Sequence, residues 1–412
     1  MGRSGNKGVN RNKYIVLVLL CISWFMGYLD RVSMSIAILP IGNEMSLNPI
    51  QTGFILSSFF LGYAIMQPIG GWLADKFGSR KVLITAITLW SIFTLLTGVA
   101  WSFASLIVIR ILFGLGEGSF PSASSVAIGE FFPKTERARA KTMVLSSTYV
   151  ASAIGAVTIA LFVDSYGWKL MFIILGALGF VVSALLFFYL RPPVDKGENI
   201  SAQSIKKVSL AEVMRTPLLW QLVIILFGMT IAYWGINSWM PSYWVNVRGL
   251  DLVAAGFSSA IPPIASFITI LSSGWVLDKY MEGREKYLIT IGALLGALFL
   301  YLTFNSPSVV LAVIFMTLCQ MSLTFIQSAT FVIPLKSLPE NFIGTTSGII
   351  NFGGQVGSTI SPAVLGFLIS KFDGSYDAGF WFLIAMLVMS TIVSLTIRSE
   401  KKSFRLSEEE IS

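Results

Sequence analysis

Twelve long apolar runs constrain this chain more than any other feature of its sequence. A helix needs about 20 apolar residues to cross about 30 Å of hydrocarbon, and the first two runs, Tyr14–Leu39 and Ile50–Ala74, both exceed that length. Short breaks marked by charges, Gly or Pro separate ten further runs, so the sequence predicts an all-α membrane protein with twelve spans. The other ten lie near 81–101, 103–131, 140–163, 168–190, 217–246, 253–277, 286–304, 307–334, 342–370 and 377–398.

The charges agree with a bilayer location and indicate an orientation. Only 12% of the 412 residues are charged, whereas soluble domains average about 25%. Of the 29 Lys and Arg residues, 24 fall on one side of the predicted spans, and only Lys169, Arg248 and Lys371 fall on the other. Because cytoplasmic loops carry an excess of Lys and Arg, we expect both termini in the cytoplasm. The net charge of +8 is therefore a topology signal and does not indicate nucleic-acid binding.

The residue types exclude several classes of function. The chain has no histidine, which excludes a Ser-His-Asp triad, a His-ligated metal and a histidine proton relay. Its two cysteines, Cys21 and Cys319, lie in apolar runs and have neither a disulfide framework nor metal-ligand spacing. We therefore expect no enzyme, no metal site and no cofactor.

The first apolar run is interpreted as a retained helix. It follows a basic start, as a signal peptide does, but it is too long, contains Asp30-Arg31 and lacks a small-residue cleavage site. The protein is therefore expected to be multi-pass from its first span onward.

A polar linker divides the chain into two halves. The stretch Arg191–Thr216 is rich in Lys, Ser and Asp and poor in apolar residues, which is typical of a solvated loop. We predict an N-terminal six-helix bundle over 1–190, a cytoplasmic linker over 191–216, and a C-terminal six-helix bundle with a cytoplasmic tail over 217–412.

The two halves resemble each other. Gly71–Lys76 (GWLADK) is matched by Gly274–Lys279 (GWVLDK) 203 residues later, and Phe132-Pro133 by Leu338-Pro339 206 residues later. A near-constant offset indicates duplication, and parallel six-helix repeats are the architecture of major facilitator transporters. The segment Gly71–Lys81 (GWLADKFGSRK) also resembles the signature loop of that superfamily.

This signature loop suggests a cytoplasmic gate. Gly78 would form a tight turn, and Asp75 could pair with Arg137 or Arg139, closing the cytoplasmic side until inward opening breaks the contact. The alternative is that the basic residues of the loop only orient the helix, and both interpretations stay open. The candidate gating residues are Asp75, Arg80, Arg137, Arg139 and Asp278.

Four charged residues lie deep within the predicted spans: Asp30, Arg31, Arg110 and Glu117. Each costs about 2.5–3.5 kcal/mol at a helix centre, so intramembrane charges are by default functional. Arg110 and Glu117 are seven residues apart and share one helical face. The alternative is that the four form two structural ion pairs.

These residue types are suited to proton and anion chemistry. A low-dielectric environment favours a neutral carboxyl group, and a nearby guanidinium favours the charged form. A carboxylate between these influences can exchange a proton near neutral pH, whereas an arginine stays charged and can bind an anion. The C-terminal half offers only neutral candidates at membrane depth. They are Tyr233, Trp234, Asn237, Ser328, Thr330 and Asn351.

At these residues the chain resembles the anion:cation symporter family of the major facilitator superfamily. This family includes bacterial galactonate, glucarate, hexuronate and tartrate transporters, and the animal sialin and vesicular glutamate carriers. The resemblance extends over the whole chain. It rests on Tyr28–Arg31 (YLDR), Tyr63, Gln67-Pro68, Arg110–Pro121 (RILFGLGEGSFP) and Asn351–Gly354 (NFGG).

The resemblance implies a role for each site residue. Asp30 and Glu117 would take up protons, Arg31 would receive the substrate carboxylate, and Arg110 would tune the acids. The residues implied to line the substrate are Tyr28, Tyr63, Ser328, Thr330 and Asn351. Ser and Thr in membrane helices often bond to their own backbone, so for Ser328 and Thr330 a purely structural role stays equally open.

The chain also departs from its sugar-acid relatives. They have Gln where Thr148 aligns and Trp where Phe331 falls, and both changes remove hydrogen-bonding groups suited to a polyhydroxy chain. The symport mechanism is unaffected, but the identity of the anion is left open. The short loop between Pro40 and Pro49 lacks the long insertion of the animal members, which favours a bacterial inner-membrane protein.

The sequence therefore predicts a proton-coupled symporter that imports a small organic anion, a sugar acid or related carboxylate, by alternating access. We expect a functional monomer in the bilayer, with protons as the coupling ion. One alternative is a proton-driven exporter of the same fold, but exporters share a Gly-Pro motif in helix 5, where this chain has Gly155 and no proline. The other is a non-transporting membrane sensor, which would bind the anion without flux.

Overall fold

The computed structural model describes residues 4–190, 214–337 and 340–397, with side chains described throughout except at 4–12, 134, 138 and 335–345. These residues form thirteen α-helices and no strand. The helices are α1 (Ser4–Glu44), α2 (Pro49–Phe77), α3 (Ser79–Gly98), α4 (Phe103–Glu117), α5 (Phe120–Phe131), α6 (Lys134–Tyr166), α7 (Trp168–Tyr189), α8 (Pro217–Asn246), α9 (Leu252–Lys279), α10 (Glu285–Phe304), α11 (Val309–Ser337), α12 (Glu340–Lys371) and α13 (Asp377–Thr396).

Twelve segments are long and apolar enough to cross a membrane, which confirms the predicted number of spans. The fourth span, Phe103–Phe131, comprises both α4 and α5. The sequence did not predict this interruption. It follows from Pro121 in the first turn of α5, since proline has no N–H to donate to the preceding turn. Gly118 and Ser119 keep right-handed helical dihedrals, so the helix is interrupted without a sharp change in the direction of the chain.

Local side chains determine where two of these spans begin. At the start of α2, the Asn48 side chain accepts from the N–H of Gln51, and the Gln51 side chain accepts from the N–H of Asn48. Ser102 and Ser105 form the same reciprocal capping box before α4. These bonds satisfy N–H groups that have no partner within the helix.

The chain divides into two compact units, one comprising 1–199 with 238–260 and the other 200–237 with 261–412. In the first unit, α3 packs against α7, α2 against α4, and α1 against α6. In the second, α10 packs against both α11 and α13. The predicted linker lies mostly outside the described residues, as do Leu338-Pro339 and the C-terminal tail, so the boundary at 191–216 stays a prediction.

Small residues hold α2 and α4 in backbone contact. A Cβ atom at Gly114 would collide with the carbonyl oxygen of Phe59, and one at Gly62 with the carbonyl oxygen of Ile111. Close helix approach at small residues is a general means of packing membrane helices. Gly78 has a φ of +84° between α2 and α3, which confirms the predicted tight turn.

Candidate functional site

The four intramembrane charges form two ion pairs between α1 and α4. Arg110 Nη1 lies 3.1 Å from Asp30 Oδ1, and Arg31 Nη2 lies 2.6 Å from Glu117 Oε1. No side chain in this set is more than 7% exposed. The cluster is therefore formally neutral, which lowers the cost of placing four charges at membrane depth.

Asp30 has a hydrogen-bond donor on each carboxylate oxygen. Oδ1 accepts from Arg110, and Oδ2 accepts from the hydroxyl of Thr94 on α3. Thr94 is buried. Three helices thus converge on this carboxylate, and the sequence did not single out Thr94 because a lone threonine in an apolar run carries no charge signal.

Glu117 accepts fewer hydrogen bonds than Asp30 does. Oε1 accepts from Arg31, whereas the fully buried Oε2 has no hydrogen-bond partner among the described residues. Gly27 on α1 makes room for this side chain, since a Cβ atom there would lie 3.2 Å from Glu117 Oε1. The two acids therefore differ in how many donors stabilise their ionised form.

Aromatic rings surround the guanidinium of Arg31. Its Cζ atom lies 4.6 Å from the ring centroids of Tyr28 and Phe59 and 4.7 Å from that of Tyr63. Cation–π contacts of this kind stabilise a cation by about 0.5–2 kcal/mol. Arg31, Tyr28 and Tyr63 were predicted site residues, and the structure brings them together. Phe59 was missed, although it precedes Tyr63 by one turn of α2.

A second aromatic group extends the site along α1. Trp24 stacks on Phe120 with ring centroids 5.3 Å apart, and Trp90 packs against the same ring at 5.4 Å. The indole Nε1 of Trp24 donates to Thr148 Oγ1 at 2.8 Å. Trp24, Tyr28 and Arg31 are four and three residues apart, hence on one helical face, and this spacing could have identified Trp24 from the sequence.

Some of the neutral candidates of the second unit bond to their own helices. Ser328 Oγ donates to the Thr324 carbonyl at 3.1 Å, and Thr330 Oγ1 donates to the Ile326 carbonyl at 2.8 Å. Thr330 is fully buried within α11, and Asn351 on α12 is half-buried. The hydrogen bonds favour the structural interpretation of the two hydroxyls, and substrate binding by all three residues stays a prediction.

The gating candidates make contacts other than the predicted one. Arg137 donates to the carbonyls of Phe132 and Gly129 at the end of α5, at 3.0 and 2.8 Å. Arg80 donates to the Phe187 carbonyl near the end of α7 at 2.6 Å. Helix C-termini leave carbonyls that such donors satisfy.

The predicted cytoplasmic pairing is not made in this structure. Within the part of the chain whose side chains are described, no ion pair joins Asp75 to Arg137 or Arg139. Instead, Lys13 on α1 pairs with Glu136 on α6 at 2.8 Å. The gating role of the signature loop, and that of Asp278 on α9, stays a prediction.

Comparison with known proteins shows which family this chain belongs to. The family model of the Major Facilitator Superfamily matches residues 19–362. The chain is 31% identical to a probable sulfoacetate transporter of Cupriavidus necator over 94% of each chain, and 26% identical to a probable galactarate/D-glucarate transporter of Escherichia coli over 98% of each. A crystal structure of a bacterial homologue of the human lysosomal transporter Spinster shares the fold, with a TM-score of 0.81 at 20% identity over 93% of this chain and 96% of that one.

With twelve candidate spans and a family model that matches residues 19–362, the chain belongs to the Major Facilitator Superfamily and is a multi-pass membrane transporter, not an enzyme.

Proposed function

We propose that this transporter imports a small organic anion together with protons across a bacterial inner membrane, with both termini in the cytoplasm. The orientation is supported by the asymmetry of Lys and Arg in the sequence. The bacterial setting is supported by the relatives from Cupriavidus necator and Escherichia coli. Import and proton coupling are supported by the chemistry of the charge cluster.

The observation that carries this proposal is the buried pair of Arg31 and Glu117. An arginine keeps its charge, so neutrality of the cluster can change only when a carboxyl gains a proton or an anion enters. Protonation of Glu117 from outside would release the guanidinium of Arg31, and an incoming carboxylate or sulfonate would replace the lost negative charge. Proton and anion would then favour each other's binding, and linkage makes this coupling reciprocal.

Release on the other side follows from the same exchange. When alternating access opens the site to the cytoplasm, the proton leaves Glu117, the carboxylate again pairs with Arg31, and the anion is displaced. The empty carrier then returns with its charge cluster neutral. No step requires a cofactor.

The surroundings of Arg31 favour a short anion with few hydroxyl groups. Three rings enclose the guanidinium, and Trp24 and Thr148 already satisfy each other by a hydrogen bond. A long polyhydroxy chain would need donors and acceptors that such walls do not supply. We therefore place short sulfonates and carboxylates ahead of hexose-derived acids within the anion class.

Counterflow in proteoliposomes tests the substrate without assuming a direction or a coupling ion. Vesicles preloaded with sulfoacetate, galactarate, glucarate or a hexuronate would be assayed for uptake of the same labelled compound. We expect exchange with at least one anion of the panel, and with short ones faster. Exchange of a cationic drug, or binding with no flux for every anion, would favour the exporter or the sensor and reject the proposal.

Arg31→Lys tests the anion-binding role. Lysine keeps the charge but loses the planar, bidentate donor, so we expect the Kd for the exchanged anion to rise about tenfold or more, in line with the roughly 1.5–3 kcal/mol of a hydrogen bond to a charged group. Arg248→Lys is the matched control, since Arg248 also stacks on a tyrosine, Tyr243, at 5.4 Å. Equal affinity of Arg31→Lys and wild type would show that Arg31 is only a structural partner of Glu117.

A further inference from the structure

The two carboxylates of the charge cluster are unequally stabilised. Asp30 accepts one hydrogen bond on each oxygen, from Arg110 and from Thr94. Glu117 accepts from Arg31 on one oxygen, and its other oxygen, fully buried, has no partner among the described residues. A proton on Asp30 would weaken two hydrogen bonds that stabilise its ionised form, whereas a proton on Glu117 would weaken only the one from Arg31.

Hydrogen-bond energetics determine which acid takes the proton. A hydroxyl that donates to a carboxylate stabilises the ionised form, and charge-assisted bonds are roughly twice as strong as neutral ones. If Asp30 were protonated, the Thr94 hydroxyl would lose that advantage. The Asp30–Arg110 pair is therefore held in its ionised state by a group on a third helix.

We propose that Thr94 is a positioning residue that keeps Asp30 ionised, so that Glu117 is the acid of the pair that carries the transported proton. This rests on the proposed proton coupling. It also refines the sequence-based expectation that both acids take up protons, because the cluster would now load one proton per cycle.

The other charged and titratable groups around the two acids are few. Arg31 and Tyr28 face them from α1, Tyr63 from α2, and Arg110 from α4. No charge on α3, α6 or α7 is among the described electrostatic partners of either acid. The Thr94 hydroxyl is thus the one described neutral hydrogen-bond donor that distinguishes Asp30 from Glu117.

Infrared difference spectroscopy of the purified full chain in lipid, titrated from about pH 5.5 to 8, tests this directly, because buried protonated carboxyl groups give bands of their own. We expect one such band in wild type. Glu117→Asp should move it and Asp30→Glu should not, and both changes conserve the charge of the cluster.

The threonine variants provide the decisive comparison. Thr94→Val keeps the shape but removes the donor, so a second carboxyl band should appear within the same pH range, and Asp30→Glu in that background should move it. Thr94→Ser keeps the hydroxyl and should behave as wild type. Thr97→Val is the matched control, since Thr97, one turn further along α3, donates to the Phe93 carbonyl.

Several results would overturn the inference: two bands in wild type, a wild-type band that moves in Asp30→Glu, or no added band in Thr94→Val. If Thr94→Val is not recovered folded, Thr94→Ala replaces it with the same expectation. The spectra need no substrate, so they are independent of the proposed transport. A failure of proton coupling itself would appear separately. The infrared bands would then be as expected, but sulfoacetate uptake would not respond to a pH gradient.

Discussion

Glu117→Gln separates proton coupling from anion binding. Glutamine has the size of a protonated glutamate and, like it, lacks the negative charge that pairs with Arg31 Nη2 at 2.6 Å in the wild-type geometry. The variant therefore imitates the loaded state permanently. We expect it to bind substrate and to catalyse counterflow, while it loses accumulation driven by a pH gradient.

The size of the effect follows from one exchangeable proton in the cluster. A gradient of one pH unit corresponds to about 1.4 kcal/mol per proton, which allows about tenfold accumulation of an anion moved with one proton. Wild-type vesicles with an inward gradient of that size should approach this ratio at zero membrane potential. Glu117→Gln vesicles should stop at equal concentrations inside and outside, with or without the gradient.

The assay is uptake of a labelled anion identified by counterflow, with the membrane potential clamped. Glu44→Gln is the matched control, because Glu44 also forms an ion pair, with Lys169, but is 46% exposed at the end of α1. That variant should accumulate as wild type does. Gradient-driven accumulation that persists undiminished in Glu117→Gln would refute the reasoning and leave Glu117 as a structural ion-pair partner.

Two further predictions concern packing and orientation. Gly114→Ala should destabilise the protein by about 1–3 kcal/mol, because the added Cβ atom would collide with the Phe59 carbonyl. Gly274→Ala, which has open space around it, should leave the melting temperature in detergent nearly unchanged. Equal melting temperatures for both variants would contradict the close helix contact. In a cysteine-free chain, Thr135→Cys should react only with thiol reagents supplied from the cytoplasm, and Lys169→Cys only with thiol reagents supplied from outside. The reverse pattern would overturn the proposed topology.

Charge placement was the most informative part of the sequence, because an ionisable group in hydrocarbon is costly wherever it occurs. This local cost identified Asp30, Arg31, Arg110 and Glu117 without any knowledge of their partners. The sequence could not decide which acid belongs to which arginine, since spacing along α4 shows only that two of them share a face. The structure shows that Asp30 on α1 pairs with Arg110 on α4, and that Arg31 on α1 pairs with Glu117 on α4.

Neutral partners escaped the sequence analysis for a physical reason. Thr94 has no property that distinguishes it from other residues of apolar helices, and the roles of Thr94, Phe59 and Trp24 come from what lies opposite them on other helices. Ser328 and Thr330 illustrate the converse. They were noticed as polar residues, but their hydroxyls bond to the preceding turn, a choice that depends on rotamer and packing.

The sequence by itself determined the number of spans, the helical class, the family and the charged residues of the site, because hydrophobic length, duplication and the cost of charge do not depend on which helices meet. The tertiary structure alone decided the pairing of the charges, the aromatic enclosure of Arg31 and the unequal bonding of Asp30 and Glu117. These depend on which faces of separate helices meet, and helices distant in sequence meet only through packing contacts such as that of Gly114 against Phe59.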